Sequence, residues 1–211
     1  MQFLKSMTRI LLIGILIFCF STSSVAQKRS VGIVTLENYE ESDSLTFYNQ
    51  DGSIWLKFDP YFRENESEFT TPKGFRPHAF HPDYFLIALR VIAIDDSTAS
   101  VIINENSKAL KDVDLNHHTL KFQSWKEHFL DNIFSISLKE NVNSLWTKPN
   151  EDSQQMEAPA KKDYVRLIPI NVKNDWLQVK WKDPKTDKIK TGWVKWRNAQ
   201  DEILINLFYF A

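Results

Sequence analysis

The 211-residue chain has a single cysteine, at position 19. Residues 1–26 read as an export leader. Lys5 and Arg9 make a positive start, Ile10–Phe20 is an apolar run too short to span a bilayer comfortably, and Ser24-Val25-Ala26 supplies small residues where a signal peptidase cuts. An N-terminal membrane anchor is the alternative. Cys19 also raises lipidation, which Phe18 disfavours because that processing needs a small residue just before the cysteine. Cleavage after Ala26 leaves 185 of the 211 residues, starting at Gln27 and without cysteine. The exported form then has no disulfide, no thiolate nucleophile and no cysteine metal site. It must be stable through its core, and at this length roughly 70% of the unfolded surface can be buried.

Glycine is scarce too. After the leader only Gly32, Gly52, Gly74 and Gly192 remain, so no glycine-rich phosphate loop is present. There is no Gly-x-Ser-x-Gly elbow and no His-Glu-x-x-His. A triad assembled from distant positions stays open, since such sites leave no local motif. No excess of positive charge exists either. Losing Lys5 and Arg9 takes 26 basic residues to 24 against 27 acidic, a net of −3, which points away from nucleic acid and from membrane surfaces. The charge is uneven, however. Glu37–Glu68 holds nine acids against Lys57 and Arg63, and Lys161–Arg197 holds eleven bases against four acids. Either these are two solvated faces, or the two ends attract each other, or the basic end meets an anionic partner.

What is present is mostly period-2 alternation, the pattern of half-buried strands. Val31–Leu36 reads as a strand. Leu45–Asn49 and Ile54–Phe58 flank Asp51-Gly52, a hairpin turn, and period 2 puts Ile54, Leu56 and Phe58 on one face. Pro60–Asp83 carries four prolines and reads as an irregular surface excursion. Within it His78 and His81 have a chelating spacing for a helix, but Pro77 and Pro82 argue against one, so structural or solvated histidines are the simpler reading. Tyr84–Ile94 is the most apolar segment after the leader and should be a central strand. Asp95-Asp96-Ser97 turns it, and Ala99–Ile103 returns. Ser124-Trp125-Lys126-Glu127 fits a capping box opening a short helix that ends near Phe134, with Trp125, Phe129 and Ile133 on one face. Arg90–Ile94 matches Arg166–Ile170 in pattern, 76 residues apart, and each run is followed by a turn and a second strand. Two related β lobes, with the helix between them, would produce this, and so would chance.

Four of the seven tryptophans fall in Asp175–Arg197. Trp176, Leu177, Val179 and Trp181 form one alternating run. Trp193, Val194 and Trp196 form another, and a lysine-rich loop joins them. This is a hairpin signature. With Gly192-Trp193-Val194 at its end, Tyr164–Val172 before it and the strand-plus-loop piece Leu145–Ser153 before that, the stretch Asn141–Arg197 resembles bacterial SH3-like domains. Its loop is longer than usual for them, and the apolar run Ile203–Phe210 follows where the family pattern ends. The resemblance implies a non-catalytic module of the kind that binds cell-wall peptides or other proteins. The cysteine peptidase chemistry that often accompanies such modules has no cysteine to run on here.

The expectation is therefore an all-β protein: two small SH3-like β-barrel lobes, 27–140 and 141–211, with one short inserted helix near 125–134. It is exported, periplasmic or secreted, and not an enzyme. It needs no cofactor and no metal. Its partner is a cell-wall peptide, a glycan or an envelope protein, with no nucleic acid and no stable membrane insertion after the leader is removed. A structural or assembly protein docking on another envelope protein is the alternative. If Leu177, Val179, Trp181, Val194 and Trp196 face the core, then Trp176, Lys180, Trp193 and Lys195 share the solvent side, where indole and ammonium suit a ligand carrying carboxylates. Otherwise the polar loop Thr147–Asp163 or the other lobe covers Trp176 and Trp193, and they merely pack.

Overall fold

A computed structural model describes residues 28–37, 39–40, 43–60, 70–160 and 165–209. The expected leader lies outside them, as do Glu41, Glu64, Glu66, Glu68, Lys161, Lys162, Tyr164 and Phe210. Among the described residues about half lie in strands, and the other regular structure is one α-helix and one short 3-10 turn. The first sheet contains β1 (Gly32–Leu36), β2 (Leu45–Tyr48), β3 (Ile54–Phe58), β4 (Ala79–His81), β5 (Leu86–Asp95), β6 (Thr98–Asn104), β7 (Ala109–Asp114) and β8 (Leu120–Ser124). The helix α1 (Trp125–Asp131) follows directly. β9 (Ser135–Leu138) leads to a second sheet of β10 (Leu145–Trp146), β11 (Gln155–Met156), β12 (Ile168–Lys173), β13 (Trp176–Lys182) and β14 (Ile189–Lys195). The last strand, β15 (Ile205–Phe208), returns to pair with β9, so this pairing crosses the expected boundary at 140/141. No described helix is long and apolar enough to cross a membrane.

The strand orders are β3-β2-β7-β6-β5-β1-β8, with β4 beside β5, and β11-β10-β14-β13-β12. Every named pairing is antiparallel. Neither order returns to its first strand, so the closed barrels expected from the sequence are not seen among the described residues. The physical reason lies in how the cores are covered. The second sheet lays its inner residues Leu145, Leu177, Val179, Trp181 and Val194 in one core with Trp125, Phe129 and Ile133 of α1 and with Ile33 and Ala88 of the first sheet. The helix and the first sheet supply the cover that a closing strand would give. The first sheet keeps a separate core on its other face, around Phe47, Phe75, Leu89, Val101 and Val113.

Local corrections follow from backbone detail. A bulge between Phe47 and Tyr48 places Leu56 opposite Phe47 but Ile54 opposite Tyr48. Trp55 therefore packs edge-on against Phe47, and Ile54 is 62% exposed instead of sharing the Phe58 face. The excursion over 60–83 contains the strand β4 and a 3-10 turn at Pro82–Tyr84. The capping box is present, with Ser124 Oγ accepting from the Glu127 amide and Glu127 accepting from the Ser124 amide. The helix ends at Asp131, and it buries His128 together with Trp125 and Phe129. Gly192 of the Gly-Trp-Val motif lies on the inner face, where an added Cβ would meet the Met156 sulfur at 3.2 Å and the Trp181 ring at 3.4 Å.

The two sheets repeat each other. β5, β6, β7, β2 and β3 hold the places of β12, β13, β14, β10 and β11. The match is residue by residue: Arg90 pairs Ile102 as Ile168 pairs Lys180, and Asp95 pairs Thr98 as Lys173 pairs Trp176. Each hairpin has its register shift at the same step, at Val91/Ala93 and at Pro169/Asn171, and each turns on a left-handed residue, Asp96 or Asn174. The offset is 78 residues. Matching the apolar runs alone gives 76, because a period-2 pattern matches itself equally well after a two-residue slip. Arg90 thus corresponds to Ile168, not to Arg166.

A buried ionic cluster ties the first sheet to the segment after the second. Arg90 is 1% exposed and donates to Asp201 Oδ2 at 2.8 Å and to the Asp201 carbonyl at 2.9 Å. Asp201, also 1% exposed, accepts from the Ser30 amide at 2.8 Å, from Ser30 Oγ at 3.0 Å and from Arg197 at 3.2 Å. Asp175 accepts from Arg29 at 2.5 Å and Arg197 at 2.8 Å. Trp125 Nε1 donates to Ser30 Oγ at 3.2 Å. Residues 29–30, β5, α1 and the segment after β14 meet here.

Candidate functional site

The hairpin β13–β14 alternates as its sequence requires. Leu177, Val179, Trp181 and Val194 are buried, as is Trp196 just beyond it. Trp176, Gln178, Trp193 and Lys195 are half-buried, and Lys180 is exposed. Directly paired residues share a face. Trp176 pairs Lys195, Gln178 pairs Trp193 and Lys180 pairs Thr191, so the register brings Trp176, Lys180, Trp193 and Lys195 together on the outer face. One residue of this face escaped the sequence reading. Trp146 of β10 pairs with Trp193 and is half-buried. Its signal was present, since Leu145 points inward and its neighbour must point outward, but a two-residue strand carries too little alternation to find. Lys173 pairs Trp176 from the other side.

The face is a strip of three indoles bordered by lysines. Lys195 donates to Glu151 at 2.6 Å, so the polar loop after β10 reaches its rim. The half-buried state of Trp176 and Trp193 lies between the open and the covered arrangement. Indole faces with nearby ammonium groups can stack on sugar rings or apolar side chains while the lysines meet carboxylates. The acidic and basic stretches find partners near home. Glu37 pairs Lys121 and Asp43 lies 3.3 Å from His118, whereas Lys182 pairs Asp187 and Lys190 pairs Asp183.

A second concave feature lies between the first sheet and the β9–β15 pair. This cleft of about 810 Å³ is lined by Phe75, His78, Arg90, Lys108, Lys139 and Tyr209 among others. His81 lines it as well, but no group of three or more histidine, cysteine or acidic side chains able to hold a metal exists among the described residues. Burial, then the charges of Arg90, Lys108 and Lys139, hold His78 down at about 3. Behind it His128 is fully buried. Its Nδ1 lies 3.3 Å from Gln123 Oε1 and its Nε2 lies 3.2 Å from the Tyr209 hydroxyl. Burial raises Tyr209, so its phenol stays protonated and donates to Nε2, while Nδ1–H donates to Gln123.

Burial, then the nearby His78, lowers His128 to about 3. As pH falls through 6.5, the unfolded chain takes up a proton at this histidine and the folded chain does not, so stability declines between about pH 6.5 and about pH 3. At pH 4.5 the loss is about 2–3 kcal/mol for His128. Asp175 adds to the same trend at lower pH. Burial pushes its carboxyl up, but hydrogen bonds from Arg29 and Arg197 outweigh this and hold it below its ordinary value. Urea midpoints at pH 7 and pH 4.5 measure the effect. His128→Gln is expected to shrink the difference between them, and an unchanged difference would show that His128 is not the group responsible.

Comparison with family models, with curated proteins and with solved structures found no match to this chain.

Proposed function

We propose that the protein is an exported, non-catalytic binding module built of two related SH3-like lobes. Its C-terminal lobe takes a cell-envelope peptide, glycan or protein on the outer face of the second sheet. The observation that carries this reading is the paired register of Trp146, Trp193, Trp176 and Lys195 on the face opposite the core. Tryptophans with one side supported by a sheet and the other toward solvent are the usual anchors of binding surfaces. The SH3-like assignment is supported by the Gly192-Trp193-Val194 ending and by the repeated strand order of the two sheets.

Capture from an envelope extract, set beside binding to purified cell wall, tests this and separates a wall ligand from a protein partner. Trp176→Ala and Trp193→Ala should each weaken capture by about tenfold or more, as truncation of a tryptophan anchor does. Both should stay folded, with a stability loss well below the ~3–5 kcal/mol of a buried tryptophan. If both variants unfold at much lower urea while the fraction still folded captures normally, these residues are packing groups and the site lies elsewhere.

A further inference from the structure

We propose that the outer face of the C-terminal sheet docks on the matching outer face of the N-terminal sheet in a second copy of the chain. This rests on the reading of the C-terminal face as a binding surface, and it names an occupant. The repeat gives each position of one face a counterpart on the other. Trp193 corresponds to Asp112, Lys195 to Asp114, Trp176 to Thr98 and Trp146 to Tyr48. Where the C-terminal face is cationic and aromatic, its counterpart is acidic. The lobes follow the same division: residues 27–140 hold 18 acids against 12 bases, and residues 141–211 hold 12 bases against 9 acids.

The N-terminal face is only half covered within one chain. On its β5–β1 half, Ile33 and Ala88 lie in the core shared with α1, and Arg90 is locked to Asp201. On its β2–β7 half, Asp114 is exposed, Leu110 is 36% exposed, and Ile54 beside Tyr48 is 62% exposed. Apolar groups beside Asp112 and Asp114 there, with Lys57 further out on the β3 edge, complement indoles bordered by lysines. The contact joins two different faces, so each copy offers one of each to its neighbours. Copies then add head to tail, into a ring if the rotation closes and an open chain if it does not. An envelope ligand and a second copy compete for the same tryptophans.

Sedimentation of the leader-free protein over a concentration series tests this. Association should be present in about 0.01 M salt, where the screening length is about 30 Å, and should weaken in about 1 M salt, where it is about 3 Å. Asp112→Lys/Asp114→Lys spoils one face, and Lys180→Glu/Lys195→Glu spoils the other. Asp112 and Lys195 are half-buried, and Asp112 accepts from Ser100 Oγ at 2.5 Å, so thermal melts check that each variant folds; each folded variant alone should sediment as a monomer. Mixed in equal amounts they should form a complex, because the first retains an intact C-terminal face and the second an intact N-terminal face. Wild type that stays monomeric in low salt, or a mixture that stays monomeric, overturns the proposal. Monomeric wild type that still loses envelope capture on Trp193→Ala would remove self-docking and leave the binding function standing.

Discussion

Replacing Asp201 by alanine is expected to lower the unfolding free energy by about 3–5 kcal/mol, the cost of leaving a buried charge without its partner. The charge left behind is Arg90, which is 1% exposed and gives two hydrogen bonds to Asp201, and which keeps only Glu105 at 3.4 Å from its Nε, without a hydrogen bond. Ser30 would lose the acceptor of both its amide and its hydroxyl. Asp201 also has a left-handed backbone at φ 62°, where alanine is strained. Asp201→Asn tolerates that backbone and nearly keeps the shape, so it isolates the effect of charge. Because the trouble is a buried guanidinium stripped of its hydrogen-bonded partner, Arg90→Met combined with Asp201→Asn should cost less than the two single changes added together. Urea unfolding with an unchanged slope gives the number. A loss within about 0.5 kcal/mol, the range of ordinary surface changes, would mean that water reaches this cluster and that it does not tie the first sheet to the segment after the second.

That cluster marks where the sequence stopped being legible. Arg90 was visible as a lone charge in the most apolar strand, but nothing in the chain names Asp201 as its partner 111 residues away. Elements set by local rules were readable. The Ser124–Glu127 capping box, the Asp51-Gly52 turn and the β13–β14 alternation all depend on neighbours within a few residues. What failed was register over longer range. A single extra residue in β3 turned Ile54 outward, and strand pairing sets the internal repeat at 78 where the period-2 apolar runs match as well at 76. Barrel closure failed for a related reason, since it depends on what covers the inner face, and here α1 and the first sheet do. Of the candidate site, Trp176, Trp193, Lys180 and Lys195 were found because alternation alone decides their side. Trp146 was missed because its strand is two residues long and carries too little alternation to find.

Trp196→Ala should cost about 3–5 kcal/mol, whereas Trp193→Ala, three residues earlier, should cost far less. The two differ only in the parity of their position along the chain. Trp196 is fully buried, with ring centroids 4.8 Å from Trp125 and 4.9 Å from Phe129. Arg197 stacks on it at 4.5 Å, and its Nε1 donates to the Asn174 carbonyl at 3.0 Å. Alanine would open a cavity where α1 meets the second sheet and would leave that carbonyl without its donor. Trp196→Phe keeps most of the packing and loses the hydrogen bond, so about 1–3 kcal/mol is expected for it. Trp193 lies half-buried on the opposite face, against Gln178 and Trp146. The difference in urea midpoint between Trp196→Ala and Trp193→Ala therefore measures which face is core. A large loss for Trp196 with a small one for Trp193 leaves the indole strip free to bind. Equal and large losses would mean that both faces of the sheet are covered, and neither an envelope ligand nor a second copy could then dock on Trp176 and Trp193.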